Sequence, residues 1–262
     1  MTRLNRPLSW GLSLSVCVAL VWLNACASIV PVESIAPVLE SDALDRLPSA
    51  GGQPILTAQL DYPLLAAAVF AESNRRRQQR LSAPLGYMPA LETVSTLHAR
   101  DMVRHNFFDH VNPFEPVKRT LSDRLDLVDL GGSFYAENIA KTFAIQIDLR
   151  SDEPVSQTAG KAWERGRSEQ ARTDSHARHT YQSTLYPLDE PGQFSLTPYG
   201  PPIPPHTYAS FARDLVESWM NSPSHRRNLL TSKARYLGCG CALQIEEAGL
   251  AMLFCAQVFY AP

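Results

Sequence analysis

Three short segments, FFDHVNP, FYAENIA and SPSHRRNLL, each set one acid–base or metal-binding side chain among apolar or turn-forming neighbours. His110 lies in the first, in a loop that leaves a helical stretch just before Pro113. An imidazole there can carry a proton near neutral pH or ligate a metal. Glu137 lies between Ala136 and Ile139, where a carboxylate needs hydrogen-bond donors or a cation. It either braces a loop through backbone N–H groups or serves a cavity. His225 follows Ser222-Pro223. Serine favours the N-cap and proline the first helical position, so Ser222 is expected to cap a short helix that runs through Leu230. His225 is then its third residue, where the positive end of the helix dipole disfavours an imidazolium. A neutral ring there can ligate a metal or accept a hydrogen bond.

Sulfur chemistry is concentrated near the C-terminus, in Cys239, Cys241 and Cys255. The runs YLGCGCALQI and LAMLFCAQVFY flank the turn signal Glu246-Glu247-Ala248-Gly249 and read as a hairpin. A turn centred near Glu247 sets Cys239 opposite Cys255, with register uncertain by a residue or two. A Cys239–Cys255 disulfide then leaves Cys241 free, and Cys241–Cys255 is the alternative. A three-thiol metal site finds no convincing fourth ligand, and C-x-C lacks the usual zinc spacing.

Helices must position these groups. Leu64, Leu65, Ala68 and Val69 lead a helix from Tyr62 into Asn74-Arg-Arg-Arg77, whose basic end reads as a solvated helix terminus. Leu91, Val94, His98, Met102 and His105 share a face of a second helix, about 90–106. A histidine on such a face reads as a satisfied core residue, so His98 is assigned to structure. Ser82–Pro89 reads as a loop. Phe211, Leu215, Val216 and Trp219 form the stripe of a third helix from about Tyr208, which Ser222-Pro223 stops.

The ends and composition set the context. Of 262 residues, 45% are hydrophobic and the net charge is -2, which suits one medium domain and gives nucleic-acid binding no electrostatic support. Arg3 and Arg6 precede an apolar run, Leu8 to Leu23, and then Leu23-Asn24-Ala25-Cys26. This is an export signal, too short for a comfortable membrane span. The cysteine after a small residue resembles a bacterial lipoprotein box, in which residues 1–25 are removed and Cys26 is lipidated. Ala27, in place of aspartate, points to the outer membrane or cell surface rather than the inner membrane. Residues 26–60 read as a flexible tether and 61–262 as the domain. Residues 145–207 read as an insertion rich in proline and polar residues.

In chain order, NRRR, LHARDMVRHNFFDH, AENIA, ESWMNSPSHRRNLL, LGCGCAL and FCAQVF resemble the CAP superfamily of cysteine-rich secretory, antigen 5 and pathogenesis-related-1 proteins, on its bacterial SCP-like branch. The resemblance covers about 62–144 and 208–260. It implies an α+β fold, an α-β-α sandwich with a small antiparallel sheet between helices and an open cleft. It places His110, Glu137 and His225 in that cleft, and Ser222 where the family's second acid would stand. It implies a binding module for a lipid, a cell-wall component or a partner protein, with a cleft that holds zinc or another divalent cation on His110 and His225. The alternative is a zinc-assisted hydrolase, a peptidase or esterase, in which Glu137 activates water. That reading lacks HExxH and a third protein ligand. Ser222 as a nucleophile is set aside, because capping already explains Ser-Pro at a helix start.

Overall fold

A computed structural model of the chain describes residues 42–147, 185–190, 192–246 and 249–262. The export segment, Cys26, the first part of the expected tether and residues 148–184 of the expected insertion lie outside them. The elements are α1 (Asp42–Ala50), α2 (Tyr62–Gln79), β1 (Gly86–Tyr87), α3 (Pro89–Arg104), α4 (Leu121–Asp126), β2 (Phe134–Phe143), β3 (Tyr186–Pro187), β4 (Phe194–Ser195), α5 (Tyr208–Asn221), α6 (Pro223–Leu230), β5 (Tyr236–Ile245) and β6 (Ala251–Ala261).

Strand alternation builds the layers. Along β5 and β6, Cys239, Cys241, Leu253, Cys255 and Phe259 pack into one core with residues of α2 and α5. Ala242, Phe254, Ala256, Val258 and Tyr260 face the other way, onto α3. Gly238 and Gly240 also meet α3, and a Cβ at either would strike its Leu91–Glu92 backbone or Thr96. The GCGC alternation therefore sends cysteines to one layer and lets a helix approach closely on the other. This is the expected α-β-α sandwich. Phe211 and Leu215 of α5 are buried, and each burial contributes roughly 2 kcal/mol.

The main sheet has the order β1-β5-β6-β2. β6 pairs antiparallel with both β5 and β2, whereas β1 pairs parallel with β5. β1 falls in the segment expected as a loop. It is held by Gly86 N–H donating to Arg235 O at 2.9 Å and Met88 N–H to Leu237 O at 3.2 Å.

Helix limits follow from local chemistry. Asp61 caps α2, its Oδ1 accepting from Leu64 N–H at 2.9 Å. At the other end the arginine run divides. Arg75 and Arg76 pair with Glu72. Arg77 is buried instead, and its Nη1 donates to Leu229 O at 2.8 Å and Thr231 O at 2.9 Å. It closes the end of α6, so the basic terminus is not simply solvated.

The tether gives way to ordered structure before residue 60. Ala43 and Ile55 are buried, Leu44 and Leu47 pack on the core, and Ile55 N–H donates to His206 O at 2.7 Å. Pro48 inside α1 obscures this short apolar spacing. Within the expected insertion, Leu185 and Phe194 cluster with Leu250, and His206 N–H donates to Ala144 O at 2.8 Å. The described core runs from Ala43 to Ala261. No helix among the described residues is long and apolar enough to cross a membrane.

Candidate functional site

β2 is an edge strand, and its alternation divides the neighbours of Glu137 and Asn138 between two layers. Glu137 points to the layer of α3 and α4. Its Oε1 accepts from Arg124 Nη2 at 2.8 Å and its Oε2 from His110 Nδ1 at 2.8 Å. His98 Nε2 lies 3.8 Å from the same Oε2. Glu137 is thus held by side chains in a buried site, not by the backbone N–H groups expected of a loop brace. Burial would push this carboxyl up. The bond from His110 and the charges of Arg124, His98 and His110 outweigh that and hold it below the usual carboxylate range.

Arg124 comes from α4, a single turn fixed by a capping box between Thr120 and Asp123. Its side chain is fully buried, and it also donates to His110 O and Lys118 O. It thereby ties the carboxylate and the loop that carries His110 into one unit. The sequence reading missed Arg124. Its signal is spacing: Leu121, Arg124, Leu125 and Val128 recur as one helical face, so the arginine stands at an apolar position and needs a buried anion.

His98 is core, as expected. It is fully buried, its Nε2–H donates to Asp109 O at 2.9 Å, and burial lowers its pKa. With Nε2 protonated, Nδ1 is a buried acceptor without a partner among the described residues. His110 is the exposed member, with 51% of its side chain accessible. Because Nδ1 bonds inward to Glu137, Nε2 is the nitrogen on the outward side. A carboxylate behind an imidazole fixes its tautomer and orientation.

His225 arrives differently. Its carbonyl accepts from Asn138 Nδ2 at 3.2 Å, and Asn228 Nδ2 donates to Asn138 Oδ1 at 3.0 Å and to Glu137 O at 3.2 Å. α6 is thus docked on β2 at Glu137–Asn138, partly through Asn138, whose side chain leaves the strand on the face opposite to Glu137's. Ser222 stands at the N-cap of α6 as expected, but its hydroxyl makes no cap bond and lies 3.3 Å from Ser224 Oγ. The helix start is set by Pro223 and by Ser222 O, which accepts from Arg226 N–H at 2.9 Å.

Among the described residues, His110, Glu137 and His225 do not bring three ligand atoms within 4.8 Å of one another. Both Glu137 oxygens are already bonded, and the adjacent Arg124 cation opposes a divalent ion. These residues do not fit a three-ligand zinc centre. Asp101, His105 and Glu115 do cluster that closely. Lys118 Nζ already supplies the cation there, 3.0 Å from Asp101 Oδ1 and 2.7 Å from Glu115 Oε2.

The disulfide is Cys241–Cys255, and Cys239 is a buried free thiol. The Cys239–Cys255 pairing is corrected by the register, which sets Cys239 opposite Gln257 and Cys241 opposite Cys255. The turn centre lies one residue beyond the expected one, which shifts every partner by two and preserves the face of every side chain, so the hairpin and its inward cysteines stand while the partner changes.

The family model of the cysteine-rich secretory protein family, CAP, matches residues 130–258. No curated protein matches the chain. Among solved structures, it is similar to an extracellular protein containing an SCP domain from Bacillus anthracis, at 18% identity and a TM-score of 0.42, over 78% of this chain and 42% of that one. It is also similar to an outer surface protein from Borrelia burgdorferi, at 13% identity and a TM-score of 0.40, over 74% of this chain and 89% of that one. A cysteine-rich secretory protein from Staphylococcus aureus is similar at 13% identity and a TM-score of 0.38, over 77% of this chain and 39% of that one. The chain thus spans less than half the length of the Bacillus and Staphylococcus proteins.

Proposed function

We propose that the chain, whose residues 130–258 match the CAP family model, is an exported, lipid-anchored cell-envelope binding module. It holds a lipid, a cell-wall component or a partner protein at the face that carries His110. The observation that supports binding over turnover by Glu137 as a base is the engagement of that carboxylate. Its two oxygens accept from Arg124 and His110, both at 2.8 Å. A general base needs a lone pair directed at the water it activates. Glu137 instead orients His110, whose outward Nε2 can accept a hydrogen bond from a ligand. The predominantly closed hydrogen-bonding around it favours a rigid recognition surface.

The zinc-assisted hydrolase with Glu137 as base would need one of the carboxylate's two oxygens released; a different hydrolase, with His110 as base and Glu137 as its orienting carboxylate, uses the pair as it stands. No step of either reading is routed through a metal. Sedimentation of residues 27–262 with cell-wall sacculi, and co-elution with a soluble labelled fatty acid in gel filtration, test the binding reading. Retention by one of them that falls at least tenfold in His110→Ala is expected. Equal retention of the variant, or none by either protein, overturns it. Turnover of a peptide or ester library that is abolished by His110→Ala moves the assignment to the hydrolase. For the anchor, labelled palmitate incorporated by the full chain and lost in Cys26→Ser is expected. Incorporation that survives the substitution excludes Cys26.

A further inference from the structure

The loop between α3 and α4 exposes apolar side chains that it cannot withdraw. Val111, Phe114 and Val117 are 41%, 54% and 66% exposed. The loop is pinned around them. Asn112 Nδ2 donates to Asp101 Oδ2 at 3.0 Å, Lys118 pairs with both Asp101 and Glu115, and His105 Nε2 lies 3.1 Å from Glu115 Oε1. Phe114 stacks on His105 with ring centroids 4.9 Å apart. A concentration of exposed apolar side chains on a fixed loop marks a docking surface.

The charge beside it selects the partner. Arg104, 72% exposed, reaches to 4.0 Å from Glu115. It lines a depression of about 210 Å³ with Tyr62, Arg100, Val103, Ala242 and Leu243. Arg100 and Arg119 are also exposed. The acids Asp101 and Glu115 are taken up by Lys118 and His105, which leaves Asp109 as the exposed acid of the loop. Apolar tips flanked by guanidinium groups match a bilayer interface: the tips enter among the acyl chains while the cations meet phosphates.

We propose that this loop, with the Arg100–Arg104 depression, docks the domain on an anionic phospholipid surface. The proposal deepens the envelope-binding reading by naming a lipid surface and a face for it. It requires neither lipidation of Cys26 nor the His110 site, so it can fail while those stand.

Residues 27–262, which retain the entire described core, are sedimented with vesicles of phosphatidylglycerol and phosphatidylcholine, and with phosphatidylcholine alone. Binding to the anionic vesicles that weakens with salt is expected. Phe114→Ser and Val117→Ser are each expected to lower it at least fivefold. Val117 makes none of the ring contacts of Phe114, so it reports on docking without unseating the loop. Arg104→Gln with Arg119→Gln is expected to lower binding and its salt dependence, while Arg213→Gln, an exposed arginine on α5, leaves it unchanged. Absence of binding to anionic vesicles, or equal binding by wild type and Val117→Ser, overturns the proposal. So does self-association of the wild type, seen by sedimentation velocity, that Val117→Ser abolishes without changing vesicle binding.

Discussion

Arg124 meets Glu137 inside the core, Nη2 to Oε1 at 2.8 Å, with the two side chains 0% and 3% exposed. A pair this deep is costly to break from one side, because the remaining charge keeps its burial and loses its partner. Arg124→Ala is expected to destabilise the domain by about 3–5 kcal/mol. Arg124→Met combined with Glu137→Leu is expected to recover most of that loss. Arg124→Lys is not, because an ammonium cannot reproduce the guanidinium's additional bonds to the His110 and Lys118 carbonyls. Urea denaturation of the three variants checks this. A single alanine variant within 1 kcal/mol of wild type would contradict the central role given to the pair.

Glu92 has the opposite pH behaviour from Glu137. It is buried, it accepts from the Tyr87 hydroxyl, and burial, partly offset by that bond, pushes its carboxyl up to about 7. The folded state therefore binds more protons than the unfolded state between the ordinary glutamate value and about 7. Stability falls as pH rises through that window and levels off above it. Glu92→Gln is expected to flatten this slope and, at pH 8, to remove a penalty on the order of 3 kcal/mol. Denaturation midpoints from pH 4 to pH 8 measure it. A wild-type slope retained in Glu92→Gln would locate the titration elsewhere.

What could be read in the sequence followed the range of the interaction. The Phe211–Trp219 stripe, the break at Ser222-Pro223 and the burial of Glu137 arise from local pattern and appear in the fold. The parallel strand Gly86–Tyr87 is too short to show alternation, and it forms because β5 offers an edge. Arg124 escaped because its meaning depends on a carboxylate brought from another element. The family resemblance grouped His110 with Glu137, and the two side chains are hydrogen-bonded in the fold. It did not show that Arg124 already occupies the other carboxylate oxygen, which changes the chemistry available to Glu137.

The hairpin register predicts which thiols survive oxidation. Cys241 and Cys255 lie directly opposite and are bonded, while Cys239 faces Gln257 and is fully buried. Peptide mapping without reduction is expected to recover Cys241 linked to Cys255. Cys239 should be alkylated only after denaturation, since burial raises its thiol pKa and excludes the reagent. Cys255→Ala releases a loop with a sequence separation of 14 and is expected to cost about 3 kcal/mol, whereas Cys239→Ala leaves the bridge intact. A Cys239–Cys255 peptide would refute this register.

The bond from His110 Nδ1 to Glu137 Oε2 fixes where the imidazole carries its proton. The neutral ring is expected as the Nδ1–H tautomer, with Nε2 an acceptor on the exposed side. Nitrogen chemical shifts of the labelled ring, recorded at a pH where it is neutral, distinguish the two nitrogens directly. Glu137→Gln replaces an anionic acceptor by a neutral amide and is expected to weaken the preference for Nδ1–H without removing His110 from its loop. Ligand retention should then fall less than in His110→Ala, because the ring is still present but less firmly oriented. A dominant Nε2–H form in the wild type would remove the outward acceptor and, with it, the recognition role assigned to His110.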